Sequence, residues 1–235
     1  MTRAVQRFFD DPSHYLNRNA VISLRRDLIG DLLGGHPPRR IVDIGCGDGS
    51  LSLPYIRMGT HVSLVDFSSS MIQAAREKVP TGATGRVAFH TLDIETEELA
   101  TLGPADVVLC VGVLAHVTSP EQLVRRVASL VEPGGRLVLQ ITDSDRRMGD
   151  LSFRIAALAA RSRHYSLTRT GLAEVAGWAR AAGLTLVAVE RYPVSVPGYR
   201  FAPQAIQKGL LRYARSAPRL APLCAETIVL FTRPA

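Results

Sequence analysis

Short apolar runs rich in β-branched residues alternate along the chain with longer segments that have the length and mixed polarity of helices. This alternation is typical of a parallel sheet whose helices cover both faces. The apolar runs predict seven strands, at residues 40–44, 61–65, 86–91, 106–111, 136–141, 184–190 and 227–232.

One helix between these strands has a recognisable start and end. Ser119 is a typical N-cap, Pro120 suits the first helical position, and Gln122 follows at the spacing of a capping box. We expect Gly134 and Gly135 to end this helix, because glycine commonly follows the last helical turn.

Two further segments have helical patterns, residues 5–33 before Pro37 and residues 169–182 before Gly183. No repeat, low-complexity tract or linker divides the chain, which predicts one domain over residues 1–235. Its predicted parts are an N-terminal helical cap (1–38), a core (39–192), a cap insert (193–225) and a final strand (226–235).

The segment after the first predicted strand carries glycine at alternate positions, Gly45, Gly47 and Gly49. Glycine permits positive φ in a tight turn and lets a ligand approach the backbone closely. A dinucleotide-binding loop would place its third glycine where Ser50 stands. Asp43, just before the loop, suits an ammonium group better than a phosphate. The spacing of the loop therefore disfavours a pyrophosphate ligand, and we expect a helix after the loop.

Five motifs in order resemble those of the class I S-adenosylmethionine-dependent methyltransferases. The resemblance covers roughly residues 39–142. It implies a Rossmann-like, mostly parallel, seven-stranded sheet with helices on both faces, the last strand antiparallel, and S-adenosyl-L-methionine as cofactor. The motifs are Asp43-Ile-Gly45-Cys-Gly47-Asp-Gly49, Val65-Asp66-Phe67-Ser68 with Met71, Leu92-Asp93-Ile94, Ala105-Asp106-Val107-Val108, and the run Leu130–Leu139.

The resemblance assigns the acid at position 66 to the ribose hydroxyls and the acid at 93 to the adenine amino group. Asp66 also fits a helix N-cap, Asp93 an exposed loop acid, and Met71 and Ile94 ordinary core residues. The expected cofactor-binding residues are Asp43, Gly45, Cys46, Gly47, Asp66, Phe67, Met71, Asp93, Ile94 and Val111.

His116 follows the fourth strand, whose carboxyl end borders the transferred methyl group in this family. An imidazole titrates near neutral pH and suits a general base, and a positioning role is the alternative. Tyr15, Tyr165, Tyr199 and Arg200 are candidate acceptor contacts on the caps. No group of residues has metal-ligand spacing, so no metal is expected.

The net charge is +7, and basic side chains are concentrated in two segments between predicted strands of the sheet. Residues 146–170 hold six basic side chains against one acid, and residues 193–225 hold five and no acid. We expect an anionic acceptor or carrier, with a solvated surface as the alternative. Residues 204–215 form a basic amphipathic pattern, which predicts a lid packed on the core or a helix resting on a membrane or partner.

These features favour methylation of a small-molecule acceptor, most simply at oxygen, in a biosynthetic pathway. Methylation at nitrogen, as of an amino sugar, or at carbon stays open, as does an RNA- or protein-directed enzyme or a non-enzymatic module. The lack of an RNA-binding module disfavours nucleic acid. No apolar run is long enough to span a membrane, and the spacing of the cysteines indicates a reduced, cytoplasmic protein. The oligomeric state is not indicated.

Overall fold

The computed structural model describes residues 19–35, 37–142, 168–194 and 224–235, together with positions 203, 205, 206, 209 and 213. Seven strands form one sheet in the order β3-β2-β1-β4-β5-β7-β6. The strands are β1 (Arg40–Ile44), β2 (His61–Asp66), β3 (Val87–Thr91), β4 (Ala105–Cys110), β5 (Val131–Thr142), β6 (Thr185–Val194) and β7 (Cys224–Thr232).

The first five strands pair in parallel, whereas β7 lies between β5 and β6 and is antiparallel to both. The predicted fold class is therefore confirmed, including the reversed last strand. The chain order changes direction between β1 and β4, since β2 and β3 extend one way and β5 the other. Open α/β sheets bind ligands at the carboxyl ends of the strands beside such a switch point.

Helices cover both faces of the sheet, as expected for strands that are apolar on both sides. The helices are α1 (Asn19–Leu32), α2 (Ser69–Glu77), α3 (Pro120–Ser129) and α4 (Leu172–Ala181). Leu28 and Ile29 of α1 pack in one buried cluster with Ile41 of β1. Val124 and Val127 of α3 pack in a second cluster that includes other β1 side chains.

The segment after the glycine loop differs from the predicted helix. It forms a short 3₁₀ helix, Leu53–Met58, with Pro54 in its first turn. Gly49 has a φ of 72°, and its carbonyl accepts hydrogen bonds from both Ser52 N–H and Leu53 N–H. The positive φ interrupts any regular helix before Leu53, and Gly59 in the left-handed region ends the short one.

The expectation that Gly134 and Gly135 end the helix begun at Ser119 is wrong. That helix, α3, ends at Ser129, and its N-cap Ser119 makes no capping hydrogen bond through its side chain. The two glycines lie in β5: Gly134 N–H donates to the Arg233 carbonyl, and Arg233 N–H donates to the Gly135 carbonyl. Hydrogen bonds to Arg233 therefore place both glycines in a strand.

Two apolar side chains of the predicted amphipathic segment can be placed. Ile206 is 53% exposed and Tyr213 is 63% exposed. The expectation that this apolar face packs on the core is therefore wrong for these two side chains. Within the part of the chain that the structure describes, no helix has the length and apolarity needed to cross a membrane.

Candidate functional site

The glycine loop is fixed to the neighbouring strand where β1 ends. The N–H groups of Gly45 and Cys46 both donate to the Val65 carbonyl of β2, at 2.8 and 3.0 Å. Gly45 and Gly47 have φ of 66° and 53°. A Cβ added to Gly45 would lie 2.2 Å from Val113 Cγ2. Glycine is therefore required at position 45 by both backbone conformation and space.

Asp66 ends β2 beside this loop and is 7% exposed. Its Oδ2 accepts the Gly47 N–H at 2.9 Å and its Oδ1 accepts the Ser68 N–H at 2.9 Å. Burial raises the pKa of Asp66, and these backbone hydrogen bonds oppose the rise. Because each carboxylate oxygen can accept more than one hydrogen bond, the anchored group retains capacity for a hydroxyl-donating ligand.

Asp43 is a buried carboxyl group under the loop, 1% exposed. Its Oδ2 accepts the Ser52 hydroxyl at 2.6 Å. Burial raises the pKa of Asp43 to about 7; the Ser52 hydrogen bond opposes this rise, and the nearby carboxylates Asp66 and Asp48 add to it. A positive charge brought to this place would favour the ionised form of Asp43.

A brace across the loop was not anticipated from the sequence. Asp48 is 2% exposed and forms an ion pair with Lys78. Lys78 Nζ, directly after α2, also donates to the Ser50 hydroxyl at 3.0 Å. Burial of one partner in the loop makes this pair a constraint on the loop's shape. The only sequence signal was an acid inside the glycine motif.

The second predicted motif lies where β2 turns into α2. Ser68, not Asp66, is the N-cap of α2, since its hydroxyl accepts the Met71 N–H at 3.3 Å. The interpretation of Asp66 as a helix cap is therefore wrong. Phe67 is partly buried beside Asp66. Met71 is only 1% exposed, so its side chain presents little surface to a ligand in this structure.

The third motif forms a turn after β3. Asp93 is half-buried, and its Oδ1 accepts the Glu95 N–H at 3.0 Å. Ile94 is 2% exposed and packs in the core cluster under α3. Cys46 and Val111 belong to the opposite cluster, and each is 5% exposed. Because these side chains are buried, they present little surface to a ligand in this structure.

His116 ends a 3₁₀ helix, Leu114–His116, that follows β4. Its side chain is half-buried, and its N–H donates to the Val113 carbonyl at 2.8 Å. The Ala115 carbonyl accepts the Thr168 N–H at 2.8 Å, which ties this turn to the chain before α4. His116 therefore lies on a turn that begins at Val113, the residue whose side chain covers Gly45.

The four candidate acceptor contacts lie outside the described residues; they are Tyr15, Tyr165, Tyr199 and Arg200. Tyr192, a tyrosine of β6, is fully buried. Among the described residues, no three His, Cys, Asp or Glu side chains are grouped so that they could hold a metal ion.

The fold and this loop define the class I methyltransferase type, and comparisons with known proteins agree. The family model described as "Methyltransferase domain" matches residues 11–189. A ubiquinone biosynthesis O-methyltransferase of Xanthomonas euvesicatoria pv. vesicatoria is 31% identical over 182 residues, covering 74% of this chain and 72% of that protein. The corresponding protein of Bordetella avium is 35% identical over 131 residues, 55% of this chain and 53% of that protein.

Solved structures share the fold. Magnesium protoporphyrin IX methyltransferase from Synechocystis PCC 6803, with bound S-adenosylhomocysteine, gives a TM-score of 0.63 at 18% identity, covering 93% of this chain and 84% of that one. An O-methyltransferase family protein from Burkholderia thailandensis gives 0.65 at 19% identity, covering 95% and 60%.

The chain belongs to the class I S-adenosylmethionine-dependent methyltransferase family. It is an enzyme, and S-adenosyl-L-methionine is its cofactor. The prediction drawn from the five motifs is confirmed at this level.

Proposed function

We propose that this enzyme methylates an oxygen atom of a small-molecule acceptor in a biosynthetic pathway. The observation that carries the proposal is the 31% identity over 182 residues to a protein named for O-methylation in ubiquinone biosynthesis. The turn after β4 agrees with it, because Cys110-Val111-Gly112 lacks the Pro-Pro-aromatic sequence of enzymes that methylate planar nitrogens. Methylation at nitrogen or carbon is the alternative.

The residues of the glycine loop fit the cofactor. Gly45 and Gly47 leave the backbone open to close approach, and Asp66 is anchored with unused acceptor capacity. When bound, S-adenosylmethionine supplies an electrophilic methyl group on a sulfonium centre.

We assign Asp66 to the ribose hydroxyls and Phe67 to one face of the adenine. Asp93 and the backbone at Ile94 bind the adenine edge, and Asp43 stabilises the positive charge of the donor. The protein contributes mainly position and exclusion of water, because the donor carries the intrinsic reactivity.

His116 is the proposed general base or positioning group. A hydroxyl acceptor must lose a proton as the new carbon–oxygen bond forms, and a base in place contributes roughly 10²–10⁴-fold. In His116→Gln, we expect a base role to remove the neutral-pH limb from the pH profile of kcat. A lower kcat with an unchanged profile would assign His116 to positioning.

Product analysis tests the acceptor chemistry. The enzyme is incubated with S-adenosylmethionine carrying a labelled methyl group and cell extract, which is then separated into small-molecule, RNA and protein fractions. We expect label in small molecules, in a form that mass spectrometry identifies as a methyl ether or ester. Alkaline hydrolysis releases methanol from an ester and leaves an ether intact. Label confined to RNA or protein would overturn the proposal.

Replacement of Asp66 tests the cofactor site. We expect Asp66→Ala to weaken S-adenosylhomocysteine binding at least tenfold, because the ribose hydroxyls and the Gly47 N–H lose their shared acceptor. Isothermal titration calorimetry measures this directly. The control is Asp27→Ala, which removes an exposed acid of α1. Equal affinities in the two variants would refute the assignment.

We further propose that the caps contact the acceptor and that the enzyme is cytoplasmic. Acceptor contacts from Tyr15, Tyr165, Tyr199 and Arg200 are tested by their effect on acceptor KM at unchanged cofactor affinity. A cytoplasmic location, expected from the sequence, is tested by cell fractionation. Precursors of ubiquinone are the first acceptors to assay, because they are the compounds that the relatives' name indicates.

A further inference from the structure

A polar cluster interrupts an otherwise apolar face of the sheet. The face toward α1 is lined by buried apolar residues such as Val138 and Ile228. At the carboxyl end of β5 this pattern changes to Gln140, 5% exposed, and Thr142, 8% exposed. Glu226 of β7 lies directly across from Thr142. Polar residues in this place need a physical reason, since burial of polar groups is unfavourable unless they are paired.

The hydrogen bonds within the cluster leave one acceptor unused. Gln140 Nε2 donates to Glu226 Oε2 at 2.7 Å, and the Thr142 hydroxyl donates to the same oxygen at 3.3 Å. Gln140 Oε1 is buried and has no hydrogen-bond partner among the residues that the structure describes. Donation to a carboxylate polarises the amide and strengthens its oxygen as an acceptor. Gln140 Oε1 is therefore a buried hydrogen-bond acceptor with a fixed orientation, and it can accept a hydrogen bond from a ligand.

A chain of neighbouring residues connects this cluster to the glycine loop. Tyr192 of β6 lies across from Glu226, and its hydroxyl accepts Arg25 Nε at 2.8 Å. Arg25 Nη1 would lie 3.4 Å from a Cβ added to Gly112, just after β4. The next residue is Val113, which covers Gly45 of the glycine loop. The cluster is thus linked through β6 and α1 to the turn after β4 that covers the glycine loop, where the proposed function has donor and acceptor meet.

We propose that Gln140 and Glu226 form an acceptor-binding subsite in which Gln140 Oε1 accepts a hydrogen bond from a second hydroxyl group of the acceptor. The inference rests on the proposed function and deepens it. Its chemical basis is that an amide oxygen beside a carboxylate selects a neutral donor and disfavours an anion at the same point. Gln140 is thereby a specificity-determining residue for acceptors with more than one hydroxyl.

Matched acceptors test the subsite. The three isomeric dihydroxybenzenes are compared with phenol, which lacks the second hydroxyl, as methyl acceptors and as ligands of the enzyme loaded with S-adenosylhomocysteine. We expect at least one dihydroxybenzene to exceed phenol about tenfold in kcat/KM, because phenol leaves the buried acceptor unpaired. In Gln140→Leu this preference should fall to about one, with S-adenosylhomocysteine affinity unchanged.

Thr142→Val is the matched control, because it removes the other hydrogen bond to Glu226 Oε2 and leaves Gln140 in place. We expect this variant to keep the preference for the dihydroxybenzene. Gln140→Met is a second test in case Gln140→Leu fails to fold. It keeps the side-chain length, and it should lose the preference because a thioether sulfur is only a weak hydrogen-bond acceptor.

The outcomes separate the subsite from the proposed function. A preference that survives in Gln140→Leu, or in a folded Gln140→Met, would overturn the subsite. So would equal use of phenol and all three dihydroxybenzenes, or no binding and no methylation of any of them. The proposed function would stand in each of these cases if label still entered small molecules of the cell extract, and would fail only with that assay.

Discussion

Burial of the Asp43 carboxyl group lowers the stability of the folded protein at neutral pH. Burial raises its pKa from 3.8 to about 7. A carboxyl group with a higher pKa in the folded than in the unfolded protein binds its proton more tightly when folded. Its contribution to stability is therefore full below about pH 4 and is lost as the pH rises toward 7. The loss reaches at most about 4 kcal/mol, at 1.36 kcal/mol per pKa unit.

We therefore expect Asp43→Asn to be less sensitive to pH than the wild type and more stable above pH 7. An asparagine oxygen can still accept the Ser52 hydroxyl, so the local hydrogen bond is kept. Urea denaturation between pH 4 and pH 8 measures the free energy of unfolding for both proteins. Asp27→Asn, at an exposed position of α1, is the control. Parallel curves for the wild type and Asp43→Asn would show that Asp43 is not responsible.

The residues of the glycine loop were predictable because their spacing is local in sequence. Gly45, Gly47 and Asp66 were expected at the ends of the first two strands, and their hydrogen bonds join those ends. The pair of Gln140 and Glu226 was not predicted, because 86 positions separate the two residues. Only the register of β5 against β7 brings them together, and single-sequence patterns carry no register information.

The element that carries Asp93 and Ile94 is held by a neighbouring helix. Arg126 of α3 donates through Nη1 to the Glu95 carbonyl at 2.6 Å, and through Nη2 to the Glu97 carbonyl. The Glu95 carboxylate in turn accepts the N–H and hydroxyl groups of Thr118, before α3. The turn after β3 and the turn after β4 are therefore fixed to one helix.

We expect Arg126→Met to weaken S-adenosylhomocysteine binding about fivefold, because the turn after β3 loses two charge-assisted hydrogen bonds and becomes less ordered. Calorimetry provides the measurement. Arg125→Met is the matched control, because Arg125 is adjacent in the chain and, within the described part of it, forms only an exposed pair with Glu121. Such a pair contributes about 0.3–0.5 kcal/mol. Equal binding by both variants would contradict the prediction.

Strand centres were predicted more closely than strand ends. The predicted β1 coincides with Arg40–Ile44, and β2 extends one residue beyond its prediction. The start of β5 was placed five residues late, because two adjacent glycines disfavour a strand locally. Pairing with the chain after β7 outweighs that preference. Local propensity thus locates strand centres, and tertiary hydrogen bonds decide where strands begin.

The net charge of +7 affects how strongly the whole protein attracts a charged acceptor. If the basic segments 146–170 and 193–225 attract an anionic acceptor, added salt should raise its KM, because the Debye length falls from about 10 Å at 0.1 M to about 3 Å at 1 M. We expect this rise for a hydroxybenzoate and none for the neutral phenol of the same substitution. Equal salt effects on the two acceptors would indicate a merely solvated surface.

The place of β7 in the sheet has a consequence for synthesis of the protein. β6 is hydrogen-bonded to the sheet through β7, although β7 comes later in the chain. A nascent chain on the ribosome can assemble β1 to β5 in order, but β6 must wait for residues 224–232 to emerge before it finds its place. Until then β5 presents an unpaired edge, the kind of surface that chaperones protect. Because Glu226 arrives with the same strand, the acceptor subsite would be completed by the last step of folding.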